Sequence, residues 1–351
     1  VNVKTDVKKS YVSFEPLGTI LGIMPWNFPF WQFFRFAAPT LMAGNGVVLK
    51  HASNVPGCGM AIEQLFMDHD FPKGLVTTTL VDSKTALGMI DDPRIAGVSV
   101  TGSTSAGKQI AARAGMNVKK SVLELGGSDP FIVLSDVASV QDCVHSAVRA
   151  RTQNTGQSCI AAKRFIVQKK IAPEFERVMA RAMDELVMGD PLNPDTQIGP
   201  LARGDLRQNL TLQMAQSIRM GAKLRTRRKK WKGKGYFFTP SLLSRIKPSM
   251  PVFSEETFGP LTGVLSVNTI REAVDAANNT PYGLGASLWT SDLKRAEETA
   301  RHVESGNVFV NNIVASDPRI SFGGTKQSGL GKELGEMGIK EFVNAKTIWV
   351  N

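Results

Sequence analysis

Short apolar runs alternate with segments of helical periodicity through the first third of the chain. VVLK (47–50), AGVSVTGS (96–103) and KSVLELGG (120–127) have the length and composition of buried strands. CGMAIEQLFM follows the first run and AGKQIAARAG follows the second, and both are typical of helices. Strands that alternate with helices in this way predict an α/β fold with a parallel sheet, whose ligands bind at the carboxyl ends of the strands.

A second helix-to-strand transition surrounds one of the cysteines. Apolar residues at helical spacing predict a helix from Val140 to Arg151, with Cys143 on its buried stripe. QNTGQSC then predicts a loop and KRFIVQ a strand, so Cys159 lies at a loop-to-strand junction. A free cysteine usually packs as a small apolar side chain, whereas loops beside rigid elements often carry catalytic residues. The local pattern therefore leaves a core thiol and a nucleophile both open.

Length and composition indicate a globular protein of about two domains. The chain has 351 residues, of which 42% are hydrophobic and 21% charged. No apolar run approaches the about 18 residues of a membrane span, and no signal peptide opens the chain, which starts at Val1 and so resembles a fragment or a processed product. Cys58, Cys143 and Cys159 are odd in number and widely spaced, which favours a reducing, cytoplasmic location. No Cys/His cluster has zinc-ligand spacing, so we expect no metal.

The net charge of +11 is concentrated in one segment. Lys223–Gly235, KLRTRRKKWKGKG, carries eight positive charges and no acid, with Trp231 available for stacking. Such a run fits either a polyanion-binding patch or a solvated loop that leads into the strand-like YFFTPSLL. No nucleic-acid-binding motif accompanies it, so the solvated loop is favoured and no nucleic-acid partner is expected.

GSTSAGK (102–108) follows a predicted strand and opens a predicted helix, as a nucleotide-binding P-loop does. The next residue is Gln109 rather than the Ser or Thr that holds magnesium, so a P-loop NTPase is only a minor alternative. Backbone N–H groups at the start of the helix still favour a phosphate near Gly102 and Ser103. The dinucleotide motif G-x-G-x-x-G is not found at this position.

Two polar side chains stand within apolar surroundings where chemistry could use them. Glu124 interrupts an apolar run and precedes two glycines, which allow close approach of another segment or a ligand. A buried carboxylate there would have a raised pKa suited to a general base, whereas an alternating strand would place it in water. Asn27 and Arg35 lie in the aromatic segment MPWNFPFWQFFRFAAP, where the amide could act as a fixed donor and the guanidinium could meet an anion.

Together these motifs resemble the NAD(P)-dependent aldehyde dehydrogenase superfamily. PWNFP, VTGSTSAGK, ELGG, GQSC, EETFGP, PYGLGAS and SFGGTKQSGLGKE occur in the family's order along the chain. The resemblance implies that Cys159 is the nucleophile that forms a thiohemiacetal with the aldehyde. It implies that Asn27 and the backbone N–H of Cys159 hold the oxyanion, and that Glu124 activates the water that hydrolyses the thioester.

The resemblance also implies a bound NAD or NADP. Its contacts would come from Met24, Pro25, Trp26, Lys50, Ser53, Gly102, Ser103, Leu125, Glu256 and Phe258. Family members that favour NAD have a glutamate where Ser53 stands. An acid at this position repels the 2′-phosphate of NADP, so Ser53 permits NADP without requiring it. The preference between the two cofactors stays open.

Within the superfamily the chain looks most like the succinate-semialdehyde dehydrogenase branch. The resemblance implies that the substrate contacts are Arg35, Gln153, Ser316 and Phe322, with Arg35 on the distal carboxylate. Gln153 replaces an arginine of some relatives, which leaves other short aldehydes as alternative substrates. A fragment that keeps the fold without activity is a further alternative.

The resemblance finally implies a domain order and a homodimer or homotetramer. Residues 1–16 would carry oligomerisation strands, 17–126 the dinucleotide-binding domain without its N-terminal part, 127–327 the thiol-bearing catalytic domain, and 328–351 a return segment with a final oligomerisation strand.

Overall fold

The computed structural model describes residues 1–227, 231 and 233–351. The described chain forms strands and helices in alternation. The strands are β1 (Lys9–Pro16), β2 (Thr19–Met24), β3 (Gly46–His51), β4 (Val76–Thr78), β5 (Ile95–Thr101), β6 (Lys120–Glu124), β7 (Asp129–Val133), β8 (Ala162–Gln168), β9 (Lys223–Leu224), β10 (Ser241–Ser244), β11 (Leu261–Val267), β12 (Gly285–Trp289), β13 (Asn307–Val310), β14 (Gly329–Leu330) and β15 (Val343–Val350). The α-helices are α1 (Pro29–Met42), α2 (Pro56–Met67), α3 (Ser83–Met89), α4 (Thr104–Met116), α5 (Val140–Thr152), α6 (Ala172–Glu185), α7 (Gly204–Arg219), α8 (Pro251–Ser254), α9 (Ile270–Asn278), α10 (Leu293–Ala300) and α11 (Gly335–Ile339).

The chain folds into two compact units. Unit 1 comprises Val1–Leu125, Ser316–Gly323 and Gly329–Asn351, and unit 2 comprises Gly126–Ala315 and Gly324–Ser328. The predicted catalytic domain, 127–327, differs in that residues 316–323 lie in unit 1. Within unit 1, Ser316 accepts a hydrogen bond from Trp31 and the Phe322 ring lies against the guanidinium of Arg35.

Unit 1 is built on a sheet in the order β14-β6-β5-β2-β3-β4. All its neighbouring strands are parallel except the short β14, which is antiparallel to β6. Apolar side chains from β2, β3 and β5 are fully buried between the helices, as is expected of a parallel sheet covered on both faces. The strands β1 and β15 form a separate antiparallel pair in the same unit.

Unit 2 is built on a sheet in the order β13-β12-β7-β8-β11-β10-β9. The strands are parallel except β9, which is antiparallel to β10. One core packs α5 and α6 against the sheet, and another packs α7, α9 and α10 against it. Cys143 lies on the buried stripe of α5, as predicted, and burial raises the pKa of its thiol.

The predicted α/β class is confirmed, and so are the strands β3, β5, β6 and β8 and the helices α2, α4 and α5. Of the strand-like YFFTPSLL (236–243), only the last three residues lie in a strand, β10, which ends at Ser244. The charged centre of the basic run, residues 228–230 and 232, lies outside the described residues, so its predicted loop is untested. Within the described ranges, no helix combines the length and apolar character needed to cross a membrane.

Candidate active site

The predicted site residues of unit 1 lie at the carboxyl edge of its parallel sheet. Asn27 is partly exposed in the turn between β2 and α1, and Lys50 is the penultimate residue of β3. Ser103 follows β5, and Glu124 is the last residue of β6. These residues share one edge of the sheet, which is where parallel α/β sheets bind ligands.

Glu124 belongs to a buried ionic cluster. It is 1% exposed, and its Oε2 lies 3.7 Å from Nη2 of Arg35, which is 3% exposed. The Nε of Arg35 donates to Glu333, which is 2% exposed, and its Nη2 lies 3.5 Å from the hydroxyl of Thr101. Burial raises the pKa of Glu333, and Arg35 opposes that shift. Glu124 is therefore a carboxylate in dry surroundings and not a residue on a wet strand face.

The guanidinium of Arg35 is paired with two carboxylates of the protein itself, those of Glu124 and Glu333. Besides the two carboxylates, its guanidinium lies 4.9 Å from the centre of the Phe322 ring. Phe322 is 2% exposed, which leaves little of its ring for a substrate. A substrate carboxylate would have to compete with Glu333 for Arg35, so the geometry gives little support to the predicted carboxylate contact. Ser316 is half-buried in unit 1, and its hydroxyl accepts a hydrogen bond of 2.7 Å from the Trp31 indole.

The helix α4 begins too early for a P-loop. Ser103 is the N-cap residue and its hydroxyl accepts from the N–H of Ala106 at 3.3 Å, so Lys108 already lies in the helix. A P-loop needs the intervening residues as a loop around the phosphates, which excludes that alternative here. Gly102 and Ser103 still present a helix N-terminus, which favours a phosphate group. Leu125 is buried because it packs on Gly107, where a Cβ would lie 2.3 Å from its side chain.

Each unit has a cavity lined by predicted cofactor residues, of about 350 Å³ in unit 2 and of about 120 Å³ in unit 1. The smaller cavity lies in unit 1 between α3 and α4, and Lys50, Ser83 and Gln109 are among its lining residues. A cationic side chain, an apolar wall and a helix N-terminus in one unit fit the adenosine half of a dinucleotide. Ser53 is exposed just beyond the end of β3. Met24 is buried, and Pro25 and Trp26 are half-buried at the end of β2.

Cys159 lies in unit 2 on a strained loop. Asn154, Thr155 and Gly156 have φ values of 52°, 56° and 74°, so three consecutive residues adopt the left-handed region. That conformation is rare for a β-branched residue and persists only where surrounding contacts enforce it. The Thr155 hydroxyl accepts from Gly199 at 3.2 Å, and the Gln157 side chain accepts from Ala202 at 2.9 Å. Cys159 itself is partly exposed.

Gly127, the second glycine of ELGG, lies against the loop that carries Cys159. A Cβ on Gly127 would lie 2.6 Å from the carbonyl oxygen of Cys159 and 3.3 Å from Leu284. The predicted close approach of another segment is thereby confirmed, and the segment is the loop of Cys159. Gly127, Cys159 and Glu256 all precede strands of the unit 2 sheet, so they gather at its amino edge. The rule that ligands bind at carboxyl ends does not anticipate this position.

Two buried cations brace this loop. Arg151 is 0% exposed and donates to the carbonyl of Gly156 at 2.8 Å and to Thr257 at 3.3 Å. Lys163 is 0% exposed and donates to the carbonyl of Cys159 at 2.7 Å. Burial lowers the pKa of Arg151 to about 9, and it lowers the pKa of Lys163. Hydrogen bonds from Arg151 and Lys163 therefore fix the main chain of this loop at Gly156 and at Cys159.

Glu256 lies beside Lys163. Its Oε1 accepts from the N–H of Gly127 at 3.1 Å and lies 3.8 Å from the Lys163 ammonium. Burial raises the pKa of Glu256, and Lys163 opposes the shift. Glu256 and the half-buried Phe258 line the cavity of about 350 Å³ together with residues of α7. Gln153 is exposed and lines a separate groove between the ends of α5 and α6.

Sequence reasoning missed Glu333, Arg151, Lys163 and Asp129. Glu333 closes the motif SFGGTKQSGLGKE, and as an acid between glycines and a leucine it could have been singled out. Lys163 and Arg164 are adjacent cations in a strand that is otherwise buried and apolar. Asp129 opens the fully buried β7, with 2% exposure. Over the described ranges, no group of His, Cys, Asp and Glu could hold a metal ion.

The chain is similar to known proteins over nearly its whole length. Residues 1–348 match the model of the aldehyde dehydrogenase family. A Synechocystis protein named as a probable NADP(+) succinate-semialdehyde dehydrogenase is 49% identical over 348 residues, which are 99% of this chain and 76% of that protein. An Escherichia coli succinate-semialdehyde dehydrogenase named for NAD(P)+ is 45% identical over 97% of this chain and 74% of its own length.

A solved structure is also similar to this chain over nearly its whole length. It is the succinic semialdehyde dehydrogenase from Streptococcus pyogenes in complex with NADP+, with a TM-score of 0.96 and 34% identity, covering 99% of this chain and 76% of that one. The chain belongs to the aldehyde dehydrogenase family.

Proposed function

We propose that the protein oxidises succinate semialdehyde to succinate with NADP or NAD as the hydride acceptor and Cys159 as the nucleophile. The observation that carries the proposal is the position of Cys159, partly exposed on a strained loop that two buried cations hold. Strain of this kind is typical of functional sites. The substrate is inferred from the similarity to the Synechocystis and Escherichia coli proteins.

In the proposed reaction the Cys159 thiolate adds to the aldehyde carbon and a carbon–sulfur bond forms. The amide of Asn27 and the backbone N–H of Cys159 donate to the oxygen that becomes negative. One such donor contributes about a hundred- to a thousandfold in rate. A bound NAD or NADP would supply the acceptor for the hydride of the thiohemiacetal carbon.

Hydrolysis completes the proposed cycle. Glu124 takes a proton from water, the water oxygen attacks the thioester carbon, and the Cys159 thiolate leaves. Glu124 is a buried carboxylate held 3.7 Å from the Arg35 guanidinium, and a positioned carboxylate is a group that serves as a general base.

For the dinucleotide, we infer that Lys50 and Ser53 bind the adenosine end and that Gly102 and Ser103 bind the pyrophosphate. The cavity of about 120 Å³ beside Lys50 and the N-terminus of α4 support this assignment. Glu256 and Phe258 are assigned to the nicotinamide ribose. Met24, Pro25, Trp26 and Leu125 are kept as neighbouring contacts.

We assign Arg35 to the support of Glu124 and Glu333 rather than to the substrate. The Ser316 hydroxyl and the exposed Gln153 side chain stay as candidate substrate contacts. We assign Phe322 to the support of Arg35, because its ring lies against the guanidinium. Assembly into a homodimer or homotetramer also stays a prediction. The exposed side chains of Phe14 and Trp349, on the antiparallel pair β1 and β15, are its structural basis.

The test is NADPH and NADH formation from succinate semialdehyde and from an uncharged aldehyde of similar length. Cys159→Ser is expected to abolish turnover, while Cys143→Ser retains it because that thiol is buried in α5. Activity that survives Cys159→Ser would remove the nucleophile from the mechanism. Turnover of the uncharged aldehyde alone would replace the proposed substrate and leave the reaction class standing.

A further inference from the structure

The ammonium of Lys163 donates three hydrogen bonds to the loop that carries Cys159. Its Nζ donates to the carbonyl oxygens of Cys159 at 2.7 Å, Ser158 at 3.0 Å and Ala161 at 3.2 Å. An ammonium has three protons and no acceptor, so these bonds use all of them. Lys163 is therefore a fixed positive charge and not a donor of protons to a substrate.

The surroundings of Lys163 explain how a cation can stay in a fully buried position. Desolvation lowers its pKa, but Glu256, at 3.8 Å, and Asp129 favour the charged form. Arg151 faces it with the same sign and opposes ionisation, whereas the Cys159 thiolate favours it. These four groups have the largest effects on the charge of Lys163, and Asp129 acts only in its ionised form.

We propose that Lys163 is a positioning residue for Cys159, whose ammonium fixes the main chain of the nucleophile's loop and stabilises the ionised thiol. The proposal rests on the proposed role of Cys159. Since the thiolate favours the charged form of Lys163, the charged form of Lys163 must favour the thiolate to the same extent. A free thiol with a pKa of about 8.5 is mostly protonated at neutral pH, so a neighbouring cation increases the reactive fraction.

Arg151 offers a comparison within the same loop. It is also a fully buried cation, and its guanidinium donates to the carbonyls of Gly156 and Thr257. A brace that acted only mechanically would change how often the thiol is correctly oriented. It would not change the pH at which the thiol ionises. The titration midpoint of Cys159 therefore separates a charge effect from loss of a brace.

The experiment measures the alkylation rate of Cys159 by iodoacetamide between pH 5 and pH 10 in the full chain, with the modified peptide quantified by mass spectrometry. Cys58, which is partly exposed on α2, is the internal reference. Lys163→Met removes the charge at similar length. Its Cys159 midpoint is expected to rise by about one pH unit, with about a tenfold lower rate at pH 7. Lys163→Arg is expected to keep the midpoint of the wild type.

A fold check accompanies each variant, because the loss of three hydrogen bonds could unfold the loop. Lys163→Gln keeps a polar donor without the charge, and it too is expected to raise the midpoint. If Lys163→Met and Lys163→Gln lower only the plateau rate and leave the midpoint unchanged, the charge role is overturned. That outcome leaves the proposed function intact. Turnover by Cys159→Ser instead overturns the proposed function whatever the titration of the Lys163 variants.

Discussion

The carbonyl oxygen of Cys159 lies 2.6 Å from the point where a Cβ of Gly127 would stand. Non-bonded carbon and oxygen atoms do not approach this closely, and the obstructing atom belongs to the main chain of a loop that Arg151 and Lys163 hold. Gly127 is therefore required by the position of the nucleophile's loop. Because its φ is not in the left-handed region, the requirement is one of space alone.

Gly127→Ala is expected to displace the Cys159 loop and to lower kcat/KM by about a hundredfold, since a shift of about 1 Å in a reacting group has that effect. The measurement is aldehyde oxidation together with alkylation of Cys159. Gly115→Ala is the matched control, because nothing lies within 4 Å of its Cβ and the residue is in the helix α4. Equal activity of the two variants would contradict the close contact.

Arg35→Ala is expected to lower stability by about 3–5 kcal/mol, because it leaves the buried carboxylates of Glu333 and Glu124 without their cation. We expect kcat for succinate semialdehyde and for an uncharged aldehyde to fall together, since both reactions would depend on Glu124. Urea unfolding and steady-state kinetics are the measurements. An increase in KM confined to succinate semialdehyde would restore Arg35 as the contact of the substrate carboxylate.

The double variant Arg35→Met/Glu333→Leu provides the control for that prediction. Replacement of a buried ion pair by apolar side chains of similar size often costs little, so the double variant should recover much of the stability lost in Arg35→Ala. A double variant less stable than Arg35→Ala would show that the pair contributes more than mutual neutralisation.

The sequence predicted the elements that follow from local periodicity, and it missed the charges that depend on distant partners. The strands β3, β5 and β6 and the helix α4 each have a clear pattern, and the strand ends then place Lys50, Ser103 and Glu124 on one edge. Glu333 becomes the partner of Arg35 only because the returning chain brings it back to unit 1. That pairing spans 298 residues and leaves no periodic signal.

Lys163 shows the same limit at short range. A lysine in a strand normally indicates a solvent-facing position, yet this side chain is fully buried because its ammonium caps three carbonyls of the preceding loop. The turn at Asn154–Gly156 precedes these carbonyls, and the sequence does not encode its left-handed conformation in a recognisable motif. The pattern of polar and apolar residues therefore predicts helices and strands. It does not predict buried charged residues such as Lys163, whose position depends on the conformation of a neighbouring loop.

Asp129→Asn is expected to change how stability depends on pH. Burial raises the pKa of Asp129 to about 7, and one carboxylate oxygen accepts from the N–H of Gly285 at 3.1 Å. The native state therefore keeps a proton that the unfolded chain releases above about pH 4, and the free energy of unfolding falls as the pH rises from about 4 to 7. The total loss is about 4 kcal/mol.

Asparagine resembles the protonated acid and does not titrate, so the variant should become more stable relative to the wild type across that pH range and stay so above it. Urea unfolding of both proteins at a series of pH values measures the difference. Other titrating groups cancel, since both proteins contain them. Parallel curves from pH 4 to pH 8 would mean that Asp129 is ionised in the native state throughout.

Ser53→Glu is expected to weaken NADP binding and to leave NAD binding almost unchanged. Ser53 is exposed beyond the end of β3, three residues after Lys50, which lines the cavity assigned to the adenosine. A carboxylate there would repel a 2′-phosphate, and a partly screened repulsion of about 1–3 kcal/mol corresponds to a change in Kd of about 5- to 150-fold. Ser53→Gln has nearly the same size without the charge and should bind both cofactors as the wild type does.

Calorimetric titration with NADP and NAD measures the four affinities of the two variants. If Ser53→Glu weakens NADP and NAD equally, or if Ser53→Gln behaves as Ser53→Glu does, the adenosine 2′-phosphate does not lie beside residue 53.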